Sequence, residues 1–149
     1  MYCGSASRRR LVRRPGASVL LAGVLLVGGC VEPGVTSLDE VRADLAREGA
    51  VVRTIGTTIG LPFSVGPTRV EVDGREIRVF EYTDVASRAS DSSAITMGGY
   101  QVHGLPVEWP TQPLFWAEGR VLVLYVGEDG ALIDILTRVL GPPLDTGSA

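Results

Sequence analysis

The chain contains no lysine, no asparagine, a single histidine (His103) and two cysteines, Cys3 and Cys30. Without asparagine there is no N-x-S/T glycosylation acceptor, and one histidine rules out His-His and H-E-x-x-H metal sites. Two cysteines are too few for a disulfide framework or a Cys-based zinc site. No G-x-S-x-G nucleophile elbow occurs. Gly98-Gly99 lacks the G-x-G-x-x-G or G-K-S/T context of a phosphate cradle. Aromatics make up only 6% of the residues. No metal site and no cofactor is expected, and an enzyme is the weaker expectation.

What is present begins at the N-terminus. Arg8, Arg9, Arg10, Arg13 and Arg14 precede a stretch from Pro15 to Val31 without a charge, and Val19–Val27 is almost wholly aliphatic. A basic region, a short apolar run and small residues before a cut site make a secretory signal. A bilayer-spanning helix wants about 20 apolar residues, so this run is too short to be read as a transmembrane anchor.

Val27, Gly28, Gly29 and Cys30, in L-L-V-G-G-C, resemble the lipobox of bacterial lipoproteins. The resemblance implies that a diacylglycerol is joined to the Cys30 sulfur through a thioether and that a peptidase cuts before Cys30. Gly28 and Gly29 suit a narrow peptidase cleft, and each buried CH₂ of the lipid contributes about 0.8 kcal/mol of membrane affinity. Ser7-Arg8-Arg9-Arg10-Leu11-Val12-Arg13 also resembles a twin-arginine export motif, which implies export in the folded state. An ordinary basic region, or a start at Val12 in place of Met1, accounts for the same residues.

The expected organisation is a signal peptide over 1–29, a lipidated cysteine and tether over 30–36, one domain over 37–143 and a flexible tail over 144–149. Without residues 1–29, 120 remain, with nine basic residues against 17 acids and a formal charge of −8. That length supports a real core. The acidity argues against nucleic acid or an anionic bilayer surface as partner. With Cys3 removed and Cys30 consumed, no disulfide is possible. The tether Val31–Thr36 reaches only about 20 Å, so the domain would sit close to its membrane.

Ser37 and Glu40 have capping-box spacing, Leu38, Val41 and Leu45 share a helical face, and Gly49 fits a left-handed stop. Val51, Ile55 and Ile59 alternating with Arg53 and Thr57 predict a half-buried strand. Asp73-Gly74 between Arg69–Val72 and Arg75–Tyr82 is a strong hairpin signal. Asp84–Ile95 predicts a weakly driven helix with Val85, Ala89 and Ser92 on its inner face. Thr96–Pro106 reads as a loop. Val107–Trp109 and Leu114–Trp116 read as short strands broken by prolines. Val121–Val126 reads as a central strand covered on both faces. Asp129 caps a final helix with Leu132, Ile135, Leu136 and Val139 inward, stopped at Gly141-Pro142-Pro143. The order α-β-β-β-α-β-β-α predicts an α+β fold, two-layered, with a largely antiparallel sheet and helices on one face.

V-F-E-Y (Val79–Tyr82) together with G-R-V-L-V-L-Y-V-G (Gly119–Gly127) resembles uncharacterised bacterial secreted and lipid-anchored proteins, over about Val70 to Gly141. The resemblance implies fold and location only. Three functions follow as expectations. One is a lipid-anchored envelope protein, held to the membrane through Cys30, whose domain binds or scaffolds another envelope component. Another is small-ligand capture by Tyr100, Trp109, Phe115 and Trp116, since Trp and Tyr are favoured anchors; the competing reading is that these rings fill the core. The last is a hydrolase using Glu81, Asp84 and His103, although Asp84 also suits an N-cap.

Overall fold

The computed structural model describes residues 36–58 and 60–147. Val27, Gly28, Gly29 and Cys30, and Ile59 of the predicted strand, lie outside the described residues. At Ser37 the amide donates to Glu40 Oε2 (2.7 Å) and the Glu40 amide returns to Ser37 Oγ (3.3 Å). This closed box opens α1 (Leu38–Arg47). The helix ends in a Schellman pair, Ala50 N–H to Leu45 O (3.1 Å) and Gly49 N–H to Ala46 O (3.0 Å). Leu45 and Ala50 are both buried in the same cluster, so the cap also turns the chain back into the core.

Strands β1 (Val52–Thr57), β2 (Thr68–Val72), β3 (Arg75–Glu81), β7 (Pro113–Glu118) and β8 (Val121–Val126) form one sheet in the order β1-β2-β3-β8-β7. Every neighbouring pair is antiparallel. Asp73 and Gly74 join β2 to β3 with φ of 48° and 78°, the two positive angles of a tight hairpin turn that a β-branched residue would resist. The fold class is α+β, with the expected element order.

β1 departs from its predicted alternation. Val51 is 73% exposed and Val52 is the residue that meets the core. The register to β2 shifts between Thr54 and Gly56, so a bulge at Ile55 breaks the period of two. A bulge cannot be read from polarity alone.

α1 and α3 (Gly130–Leu140) cover one face of the sheet. Val41 and Leu45 from α1 and Leu132, Leu136 and Leu140 from α3 close over Val70, Val72, Ile77, Val79, Val121 and Val123. Asp129 caps α3 by accepting from the Leu132 amide (3.2 Å). Ile135 and Val139 pack at the edge of this cluster, and Leu140 takes a fuller share than the sequence stripe gave it.

The other face is covered by a patchwork. α2 (Val85–Ser93) leads into three two-residue strands, β4 (Ile95–Thr96), β5 (Gln101–Val102) and β6 (Leu105–Pro106). These pair as a small antiparallel meander where a loop was expected. Ile95 and Val102 from it, with Leu61, Phe63 and Val65 from the β1–β2 connection, pack on Phe80, Tyr82, Phe115, Leu122 and Leu124. Val107–Trp109 forms no strand. Pro106 and Pro110 bracket it, each without a backbone N–H to pair. Nor does the chain come free after Pro143. The Leu144 amide donates to Phe115 O (2.7 Å), and Thr146 O accepts from the Gly98 amide (3.3 Å). Among the described residues, no helix is long and apolar enough to cross a membrane.

Leu136 is fully buried between α3 and the sheet. Leu136→Ala is expected to cost about 2–5 kcal/mol of stability in denaturant melts. A loss under about 0.5 kcal/mol, the range of a surface substitution, would mean that α3 does not pack as described.

Candidate functional site

Along β3 the side chains alternate between faces. Ile77, Val79 and Glu81 turn to the α1/α3 side, and Glu76, Arg78 and Phe80 to the other. Tyr82, just past the strand end, joins that second side. β8, paired to β3, adds Leu122, Leu124 and Val126 to the same side. This face therefore has an aromatic end, at Phe80 and Tyr82, and a charged end, at Glu76 and Arg78. The patchwork closes the aromatic end. At the charged end it stops at Trp109, leaving a cavity of about 290 Å³ lined by Glu76, Arg78, Trp109, Pro110, Leu124 and Val126.

Trp109 is fixed in place by two contacts. Its indole N–H donates to Gly99 O (2.9 Å), and its ring meets Phe115 edge-on at 6.4 Å. Gly99 lies in the turn Met97–Gly99 with φ +90°, and a Cβ there would stand 2.7 Å from both Phe115 and Pro113. Only glycine fits both the angle and the approach. Phe115 and Phe80 each meet Phe63, at 6.3 and 4.6 Å, so a chain of edge-to-face rings runs from the cavity wall into the core.

The polar wall is an ion network on neighbouring strands. Glu76 Oε2 accepts from Arg69 Nε (3.0 Å) and Nη2 (2.6 Å), and its Oε1 accepts from Arg78 Nε (3.3 Å). These bonds, Arg69's foremost, hold the Glu76 carboxyl below its ordinary pKa against the upward pull of partial burial. Next to it Arg53 grips both oxygens of Glu71 (2.8 and 3.0 Å). Of the three arginines in this network Arg78 is the least committed. Its side chain is a third exposed, and its two terminal nitrogens have no hydrogen-bond partner among the described residues.

Of the four aromatics proposed from sequence, the structure brings only Trp109 to the cavity. Phe115 lies buried behind it. Trp116 is fully buried on the opposite face among the α1/α3 cluster. Tyr100 is half-buried and is not part of the lining. Core filling is therefore the correct reading for Phe115 and Trp116. Glu76 and Arg78 were missed. Their signal was available: two charges at i and i+2 continue the face that Phe80 occupies two residues later.

Glu81, Asp84 and His103 do not converge. Glu81, on the α1 side, accepts from the Leu38 amide and Arg120 Nη2, each at 3.4 Å. Asp84 caps α2 by accepting from the Ser87 amide (2.7 Å). That bond holds its pKa below the ordinary carboxylate value. His103 Nε2 lies 2.9 Å from Asp91 Oδ1, on the far side of the sheet from Glu81. Since a carboxylate only accepts, Nε2 carries the proton.

Asp91, which the sequence pattern gave no reason to select, is the one buried charged residue among the described residues. Its Oδ2 accepts from the Ser64 amide (2.7 Å), Ser64 Oγ (2.8 Å) and Tyr82 O–H (2.9 Å). The predicted inner stripe of α2 is thereby corrected: Val85 and Ala89 are exposed, and Asp91 faces inward. Four donors offset what an apolar face would otherwise supply. Among the described residues no group of three or more His, Cys, Asp or Glu is placed to hold a metal ion.

Desolvation pushes the Asp91 carboxyl upward, but the bonds from Ser64, His103 and Tyr82 outweigh it and leave its pKa lowered. Burial first, then Asp91, pushes the Tyr82 phenol far above its ordinary value. A lowered carboxyl stabilises the fold above its unfolded pKa, about 3.9, and that contribution is lost as pH falls through the folded value. A raised phenol contributes below about pH 10, and its contribution is lost as pH rises further. The melting temperature is thus expected to be level through neutral pH and to fall on the acid side below about pH 4 and on the alkaline side above about pH 10. Asp91→Ala, which strands Tyr82 and Ser64, is expected to cost about 2–4 kcal/mol and to flatten the acid limb. An unchanged acid limb in that variant would assign the acid sensitivity elsewhere.

No protein-family model matches this chain, and no curated protein and no solved structure matches it significantly, so the function is argued from the site's own geometry.

Proposed function

We propose that this is an exported protein held to the cell envelope by lipid on Cys30, and that its domain is a non-enzymatic binding module whose ligand enters the cavity beside Trp109. The observation that carries the binding reading is the cavity itself: a rigidly held indole and an apolar floor facing a guanidinium with uncommitted donors. A few placed polar groups around an apolar hollow are the usual make-up of a small-molecule site. The hydrolase reading has less support, because Glu81 and His103 lie on opposite faces of the sheet and each has its own structural partner.

The position of the cavity suits such a module. Thr36, where the predicted tether meets the domain, is held at the β7–β8 turn by the Arg120 amide donating to Thr36 O (3.1 Å). The cavity lies toward the other end of β8, at Leu124 and Val126. At about 3.4 Å per residue Val126 is about 17 Å along the strand from Val121. On this reading the tether enters the domain at the β7–β8 turn, at the end of β8 away from the cavity.

Two measurements test the two halves of this reading. Radiolabelled palmitate is expected to enter the wild type and not Cys30→Ala; label retained by the variant overturns the anchor. For the cavity, the full-length protein labelled at its indole nitrogens gives one resonance each for Trp109 and Trp116, assigned by the loss of one in Trp109→Phe. Titration with small neutral aromatic probes, benzamide and indole, is expected to move the Trp109 signal and leave that of Trp116 in place. No movement of the Trp109 signal at millimolar probe overturns the cavity as a binding site.

A further inference from the structure

Resting on the cavity as the binding site, we infer that its ligand is a small organic monoanion, a carboxylate on an aromatic or other apolar body, with Arg78 as the anion anchor. Charge bookkeeping at the polar wall points that way. Arg69 and Arg78 share one carboxylate, Glu76, and Arg53 and Glu71 cancel each other alongside. The wall therefore carries one surplus positive charge, although residues 30–149 carry a formal −8.

The surplus belongs to Arg78. Arg69 spends two donors on Glu76 Oε2, at 3.0 and 2.6 Å. Arg78 spends only Nε, at 3.3 Å. Its terminal nitrogens are left to the cavity, and a guanidinium presents such donors in a planar fork that matches a carboxylate. Glu76, already accepting three bonds, adds little acceptor capacity. The polar side of the cavity is thus rich in donors and poor in acceptors, which disfavours a cation and gives a neutral polyol few partners.

A single uncommitted guanidinium suits one negative charge. A phosphate dianion is better served by several cations, and Arg78 is the one cation in this lining. The remaining walls fix the rest of the ligand. Leu124 and Val126 form an apolar floor, and Trp109 and Pro110 a flat side. At about 290 Å³ the cavity is at the small end of small-molecule sites, which run from about 300 Å³ upward. One ring with a carboxylate fills that description.

The test uses the full-length protein in neutral detergent and reads the Trp109 indole resonance. Benzoate and indole-3-acetate are titrated beside their uncharged amides, benzamide and indole-3-acetamide, beside phenyl phosphate, and beside benzylamine as the cation. The carboxylates are expected to bind at least about tenfold more tightly than their amides, a difference of about 1.4 kcal/mol, and more tightly than phenyl phosphate or benzylamine. Arg78→Gln is expected to erase the carboxylate preference, bringing each carboxylate to about the affinity of its amide. Arg78→Lys, which keeps the charge and loses the fork, is expected to retain part of it. Amides that bind as well as carboxylates, or a tighter phosphate or amine, overturn this inference and leave the cavity as a binding site. A carboxylate preference that survives in both variants overturns Arg78 as the anchor. The unchanged Trp116 signal in each variant reports that the fold is intact.

Discussion

Strand β8 is apolar on both of its faces, and Val121 to Tyr125 are all buried. That places a demand on everything around it, because a sheet with two apolar faces needs two covers. The first cover is regular: α1 and α3 lay continuous aliphatic stripes across β2, β3 and β8. The second has no such helix available. α2 is nine residues long, rich in serine, and brings one buried side chain, which is a carboxylate. The remaining cover has to be assembled from a connection, a three-stranded meander and the segment before β7, none of which holds a shape by itself.

Asp91 joins these pieces. Its four donors come from three separate places: Ser64 in the β1–β2 connection, Tyr82 at the end of β3 and His103 in the β5–β6 turn. A buried carboxylate is costly without partners and specific with them, since its lone pairs are satisfied only when all the pieces meet in one arrangement. A second device of the same kind acts at the other end of the patchwork. There Gly99 supplies the carbonyl that holds the Trp109 indole, and its missing Cβ lets the turn sit against Phe115. The cavity is where this assembled cover runs out, above the two β3 residues whose charges would be expensive to bury.

This division explains what could be read from the sequence. Structure set by neighbours along the chain was legible: the Ser37/Glu40 box, the Asp73-Gly74 turn, the Asp129 cap and the apolar run of β8 depend on residues within a few positions. Structure set by distant partners was not. The inner face of α2 is chosen by Ser64, Tyr82 and His103, so a hydrophobic pattern pointed to Val85 and Ala89 instead. The bulge in β1 and the meander over 95–106 likewise depend on what they pair with. For the site, the aromatic cluster led to Trp109 but could not separate it from Trp116, because adjacent strands and loops sort such rings onto opposite faces. Glu76 and Arg78 become a cavity wall only because β8, distant in sequence, sets an apolar floor beside them.

The domain is acidic, whereas the ion network beside the cavity carries a surplus positive charge, and distance decides which of the two acts inside the cavity. At physiological ionic strength the screening length is about 8 Å, so acidic groups spread over the surface contribute weakly inside the cavity. Arg78 acts at hydrogen-bond range, beside Leu124 and Val126, where apolar neighbours lower the effective dielectric and strengthen the contact. The acidic surface does not guide anions in from afar. If the cavity takes the proposed anion, discrimination against its neutral relative arises after entry, in the pairing of one planar group with one guanidinium. That is why the lateral bonds within the network matter: they occupy both oxygens of Glu76 and leave the two terminal nitrogens of Arg78, a lining residue, without a partner among the described residues.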